Sequence, residues 1–289
     1  MFQYKVANTV FHIITPDHIK TSVDSAYDDF LCNDDHADIL IETRYNTTPD
    51  IELDPQKIIF DSQGSWKLYR INDKNVFTTT TPLLGPDPYR IAVFNDSYTK
   101  GIIYINIPED WFQKREELPD PLEFPLSEIL MVSYLSKQRG VMFHACGIQD
   151  GTKGFLFSGN STHGKSTTAQ LWQNHARILN DDRIIVRREN GIFKMYGTPW
   201  HGTFAGVAAA SVRLHKLFFL RHAGKNQLTK ESGIKATSML FTRCFPPFGN
   251  QKGVEFTLDF CTQLATSIPC YDFGFVPNAS IIEFIRNSP

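Results

Sequence analysis

The residues Gly159-Asn160-Ser161-Thr162-His163-Gly164-Lys165-Ser166 fit the pattern G-x-x-x-x-G-K-[ST]. A loop of this kind wraps backbone N–H groups around a polyphosphate, adds one lysine charge and offers a hydroxyl to a divalent cation. The flanking residues suit that chemistry. Before the loop, Gly154-Phe155-Leu156-Phe157-Ser158 reads as a short buried strand. After it, the stretch from Thr167 to Gln173 opens a helix whose N-terminus would face the anion. Residues 159–167 are therefore expected to hold a nucleoside triphosphate, with Lys165 at the β- and γ-phosphates and Ser166 on Mg²⁺.

Asp181 and Asp182 form the second chemical element. A metal–phosphate site needs a carboxylate near the cation, and transfer to a hydroxyl gains from a base that accepts its proton. Two adjacent aspartates can supply both roles, and one helix followed by a returning strand, Arg177-Ile178-Leu179-Asn180, would bring them back to the loop. His144, at the end of the strand-like Val141-Met142-Phe143-His144, reads on its residues alone as a packed core histidine.

The elements that must carry these groups follow from periodicity. Residues 10–14, 37–42, 66–70, 89–94 and 101–106 are β-branched and aromatic with turn residues between them, and 21–31 is expected to be a short helix. The acidic cluster Asp28-Asp29 and Asp34-Asp35 reads as a solvated loop face. Residues 116–125, with Pro119, Pro121 and Pro125, read as a linker. A helix is expected from Leu126 toward Gly140, strands at 184–186, 217–220 and 273–276, and a helix over 254–266. The fold expected is mixed α/β (α+β), not doubly wound, with a β-rich accessory domain over 1–120 and a nucleotide domain over 121–289.

Composition narrows the function classes. The chain has 289 residues, is 42% hydrophobic and carries a net charge of −2, so no nucleic-acid footprint is present. Its five cysteines are odd in number and lack C-x-x-C spacing, which argues against a zinc site and a secreted disulfide framework. Neither a signal-peptide pattern nor an apolar run long enough to span a bilayer is present, so no membrane partner and a cytoplasmic location are expected.

Taken together, these residues resemble the HPr kinase/phosphorylase family, and more closely its HPr-kinase-related branch of phosphoenolpyruvate-carboxykinase-like P-loop domains. The resemblance covers residues 126–289 and rests on Phe143-His144-Ala145, the loop 159–166, Leu179-Asn180-Asp181-Asp182, Gly197-Thr198-Pro199-Trp200-His201-Gly202, Arg243-Cys244-Phe245-Pro246, Pro269-Cys270-Tyr271 and Gly274-Phe275-Val276-Pro277. It implies ATP-dependent phosphorylation of a hydroxyl, usually that of serine. It implies that His144, Lys165 and one of Asp181 and Asp182 occupy active-site positions and that Ser166 is a metal ligand. Asp182 is preferred as base and Asp181 as metal-side carboxylate, with the reverse order open. The chain departs from the family where HPr kinases proper carry a glutamate metal ligand, because 196–202 holds no carboxylate. A reverse phosphorylase activity is therefore not implied.

His201 is a contact for phosphate or acceptor, or only a pocket wall; Arg243 is a cation for the transferring phosphoryl group, or a surface ion-pair partner. The expected activity is a kinase using ATP and Mg²⁺ on a protein, peptide or small-molecule acceptor, with homo-oligomerisation compatible. The alternatives are a nucleotide-binding regulatory module with little turnover and a phosphoenolpyruvate-carboxykinase-like enzyme.

Overall fold

A computed structural model describes residues 1–114, 117–160 and 162–288. The chain divides into two compact units, one of residues 1–137 with 247–250 and the other of 138–246 with 251–289. The division falls later than the 120/121 boundary expected from the sequence: helix Leu126–Leu135 belongs to the first unit. Neither unit is a single contiguous segment, because residues 247–250 return to the first.

The first unit is β-rich. Its eight-stranded sheet runs in the order Phe2–Val6, Thr9–Ile14, Ile39–Tyr45, Lys100–Ile105, Gly85–Phe94, Lys74–Thr81, Trp66–Ile71, Ile58–Asp61. Ile39–Tyr45 is parallel to both of its neighbours, and the other pairs are antiparallel. Two expectations fail here. Residues 21–31 form a two-residue strand, Thr21–Ser22, and a 3-10 helix, Ser25–Phe30, started by Asp24, whose side chain accepts the Ala26 N–H at 2.8 Å. Asp24 is a good cap, but no apolar stripe of helical period follows it. The expected linker 116–125 holds strand Leu118–Pro119 and the buried Leu118, Asp120 and Leu122, so its prolines shape packed chain. Glu116 of that segment lies outside the described residues.

The second unit is mixed α/β, and two long strands organise it. Val141–Asp150 pairs through residues 141–144 with Arg183–Glu189, and through 145–150 with Lys153–Ser158. Ser211–His222 pairs in turn with Ile192–Tyr196, Lys153–Ser158 and Cys270–Phe275. Following the pairings from Lys153–Ser158 through Val141–Asp150, Arg183–Glu189, Ile192–Tyr196 and Ser211–His222 leads back to Lys153–Ser158, so the strands close on themselves. Successive side chains of a strand point to opposite faces. Here Ala145, Leu156, Leu217 and Phe219 pack into a core with helices Gly233–Phe241 and Gln251–Ser267. Cys146, Phe155, Phe157, Phe218 and Leu220 join a second core with helices Lys165–Trp172 and Ser280–Arg286. Both faces are covered, which is why these strands read as unbroken apolar runs. Among the described residues no helix is long and apolar enough to cross a membrane.

The chain is tightest where the segment after Ile192–Tyr196 turns. A Cβ on Gly197 would lie 2.1 Å from the Ala208 carbonyl oxygen and 2.7 Å from that of Leu179. Both obstacles are backbone, and the Ala208 N–H donates to that same Leu179 oxygen at 3.1 Å. Gly197→Ala must therefore displace the strand that leads to Asp181. A loss of at least roughly 1–3 kcal/mol is expected for such overpacking, read as a lowered urea midpoint at unchanged slope.

Candidate active site

The strand Lys153–Ser158 leads into the loop after Ser158 and helix Lys165–Trp172 follows it, in the strand–loop–helix order expected from the sequence. Gly164 holds the helix N-cap position at φ 95°, in the left-handed region, and a Cβ there would lie 2.5 Å from the Phe275 ring. Conformation and space both demand glycine. The Lys165 side chain folds back into the loop, its ammonium donating to the carbonyls of Gly159 at 2.9 Å and Asn160 at 3.2 Å. Burial pushes the lysine below its usual range, and the charges of Asp182 and Asp181 only partly offset this. His163 places Nδ1 3.1 Å from the Leu220 carbonyl, pinning the loop to the neighbouring strand. Ser161 lies outside the described residues.

The two aspartates stand in different surroundings. Asp181 is fully buried. Its Oδ2 accepts the Ser166 hydroxyl at 2.5 Å and the Phe204 N–H at 3.1 Å, and Oδ1 accepts the Gly202 N–H at 2.7 Å. Asp182 faces the cleft, with Oδ1 2.7 Å from His144 Nε2 and Oδ2 paired with Arg183. Burial alone would raise the Asp182 carboxyl, but His144, Arg183 and Lys165 outweigh it and hold the group below the usual carboxylate range.

The turn that presents both aspartates is set by Asn180, to which the sequence reading gave no role. Its buried side-chain oxygen accepts the N–H groups of Asp182 at 2.7 Å and Arg183 at 2.8 Å. Its amide donates to the Thr198 carbonyl at 2.9 Å. Asparagine makes such local turns because its short side chain imitates a backbone acceptor. An Asn ahead of two aspartates was the available signal.

His144, Thr162, Gly164, Lys165, Ser166, Thr167, Asp182, Gly202 and Thr203 line one cleft of about 350 Å³. The strand pairing of His144 with Arg183 fixes the height at which the imidazole meets Asp182. The other two candidates sit apart from this lining. His201 Nδ1 lies 2.9 Å from the carbonyl of the next residue, Gly202. The Arg243 guanidinium, whose charge acts on Lys165, lies 5.6 Å over the Phe219 ring and donates to the Met239 carbonyl at 2.9 Å. Burial pushes it below the usual arginine range. Its backbone carbonyl, however, accepts the His144 N–H at 2.8 Å, so the residue helps seat the histidine.

Among the described residues no group of three or more His, Cys, Asp or Glu side chains could hold a metal by itself. Ser166 and Asp181 still suit Mg²⁺, which takes one or two protein oxygens and fills its other positions with phosphate and water.

No protein-family model matches the chain, and no curated protein matches it. Among solved structures, the HPr(Ser) kinase/phosphatase from Coxiella burnetii is similar at a TM-score of 0.33 and 15% identity, over 50% of this chain and 88% of that one. A likeness of that size bears on neither the site nor its chemistry.

Two outcomes follow from the geometry. Asn180→Ala strands two N–H groups and one carbonyl, and is expected to cost roughly 2–4 kcal/mol, measured by chemical denaturation. Asp182 has a depressed folded value, so its stabilisation is present above the usual carboxylate range and is lost as pH falls through that value. Asp182→Asn is accordingly expected to melt below the native protein at pH 7, with the gap closing as the pH is lowered past 4 in paired thermal scans.

Proposed function

We propose that the chain is an ATP-dependent phosphotransferase that passes the γ-phosphoryl group to a serine-like hydroxyl of a protein, peptide or small molecule. One juxtaposition carries the reading: Ser166 bonds to Asp181 at 2.5 Å while Asp182 bonds to His144 at 2.7 Å, and Lys165, Ser166, Asp182 and His144 line the same cleft. Simple nucleotide binding needs the first contact but not the second.

Ser166 and Asp181 would hold Mg²⁺, which supplies charge neutralisation on the β- and γ-phosphates. The loop amides and the dipole of helix Lys165–Trp172 bind the anion, and the Lys165 ammonium exchanges two carbonyl acceptors for phosphate oxygens. Asp182, ionised at neutral pH, accepts the proton of the acceptor hydroxyl as that oxygen attacks phosphorus and the β–γ bridge breaks toward ADP. Each Asp182 oxygen keeps a free lone pair beside its contacts to His144 and Arg183, so the proton has a place to go. His144 and Arg183 hold the carboxylate in its orientation. The full burial of Asp181 favours Asp182, and not Asp181, as the base.

ATP with Mg²⁺ is expected to raise the melting temperature, with about 2.7 kcal/mol of stabilisation at a hundredfold excess over Kd. Lys165→Ala should lose most of that shift, and an undiminished shift would falsify the loop's assignment. Asp182→Asn should keep nucleotide affinity within a few fold while γ-phosphoryl transfer, followed as ADP release in single turnover, falls by roughly 10²–10⁴. Unimpaired transfer in that variant removes Asp182 from the mechanism.

A further inference from the structure

The β-rich unit has a pocket of its own, of about 210 Å³, in which Leu84, Ile107 and Trp111 form apolar walls and Arg90, Asp120 and Glu123 contribute charge. The charges do not cancel. Arg90 is 1% exposed and already committed: it donates to the Glu123 carbonyl at 3.0 Å, to Glu123 Oε1 at 2.8 Å and to the Tyr89 hydroxyl at 2.7 Å. Its Nε is shut off from solvent, so no ligand reaches it. Arg90 and Glu123 thus form a pair of no net charge, with Arg90 buried and the Glu123 side chain 43% exposed. Among the described residues Asp120, 9% exposed, is the remaining charge of the lining, and its side chain accepts one hydrogen bond from them, the Leu122 N–H at 2.8 Å. A carboxylate takes about four hydrogen bonds when satisfied.

We propose that this pocket binds a primary amine carried on an apolar body the size of one side chain, with the ammonium against Asp120 and the body against Leu84, Ile107 and Trp111. Among the described residues an anion would meet two carboxylates and, besides the paired Arg90, no cation. A neutral ligand would leave the Asp120 charge uncompensated in an apolar enclosure, which is costly. A cation removes that cost, and the apolar walls contribute the remaining affinity. The amine is either a free small molecule or the N-terminus of a peptide.

The protonation behaviour of Asp120 gives the proposal a second readout. Burial pushes its carboxyl up to about 6, against the lowering effects of the Leu122 N–H and Arg90 and together with the raising effect of Glu123. The phenols of Tyr4 and Tyr45, raised chiefly by burial, also feel its charge and stay neutral across this range. An ammonium prefers the ionised carboxylate, so binding should strengthen as pH rises through that value. At pH 5 only about a tenth of Asp120 is ionised, and apparent affinity scales with that fraction.

Calorimetric titration of the full chain with 2-phenylethylamine, 2-phenylethanol and phenylacetate tests the head group at constant body. The amine is expected to bind at least tenfold more tightly than either other probe at pH 7, and about tenfold more weakly at pH 5. Asp120→Asn keeps the acceptor for Leu122 and should erase both the preference and the pH dependence. Because the raised carboxyl costs stability once ionised, this variant should melt higher than the native chain at pH 7, so loss of binding is not loss of fold. A parallel titration with phenylalanyl-glycyl-glycine amide separates the sources: tighter binding than phenylethylamine assigns a peptide terminus, and weaker binding assigns a free amine. Equal affinity for amine and alcohol, an undiminished preference in Asp120→Asn, or binding of none of the probes overturns the proposal.

Discussion

A carboxylate can sit wholly out of water only where donors surround it, and Asp181 meets that condition with groups from two distant stretches of chain. The Ser166 hydroxyl comes from the first turn of helix Lys165–Trp172, and the Gly202 and Phe204 N–H groups come from the segment beyond Ile192–Tyr196. One side chain therefore joins the loop, the returning strand Arg177–Asn180 and the 197–204 crossing. Two further constraints hold the same junction. Asn180 closes the turn beneath it, and Gly197 lets the backbone pass the Leu179 carbonyl at a distance that no side chain tolerates. The loop 159–164 keeps its position because the junction is tied from outside the loop.

The division between Asp181 and Asp182 follows from the same geometry. Adjacent residues at a strand end turn their side chains in different directions, so one carboxyl enters the packed junction and its neighbour emerges into the cleft. Asp181 meets a hydroxyl and two backbone N–H groups; Asp182 meets His144 and Arg183, whose attraction exceeds the cost of burial. Two chemically identical groups with unlike environments are suited to unlike tasks. The register of Val141–Asp150 on Arg183–Glu189 is part of this arrangement, because it sets His144 opposite Arg183 and next to Asp182.

The strand–loop–helix order around 159–166 was legible in the sequence because its requirements are local: glycine where φ is positive, apolar strand before and helix after. The paired strands of the second unit were legible for a related reason, since burial on both faces leaves apolar runs that need no partner to be recognised. What stayed hidden depends on residues far apart in the chain. Segment 116–125 looked like a linker because prolines and charges mark loops, yet Asp120 is buried there and Glu123 binds Arg90 from a neighbouring strand. Asn180 stood in the sequence pattern with the aspartates but was given no role, because the groups it bonds are backbone groups, which leave no trace in composition. Helix Leu126–Leu135 was recognised by period, but period does not say which unit an element joins.

Lys165 shows how binding and stability oppose each other in this cleft. The side chain is 7% exposed, and burial lowers its proton affinity despite two carboxylates nearby. Its two hydrogen bonds run to loop carbonyls, which are dipoles and carry no full charge. The loop thus keeps a cation in a place that destabilises the free protein, and a polyphosphate would convert that cost into attraction. The usual cure for a buried charge, a carboxylate bonded directly to it, would stabilise the fold and compete with any anion for the ammonium. The aspartates act on Lys165 through space while their hydrogen bonds go elsewhere, to Ser166 and His144. The ammonium remains available because the groups able to quench it are already engaged.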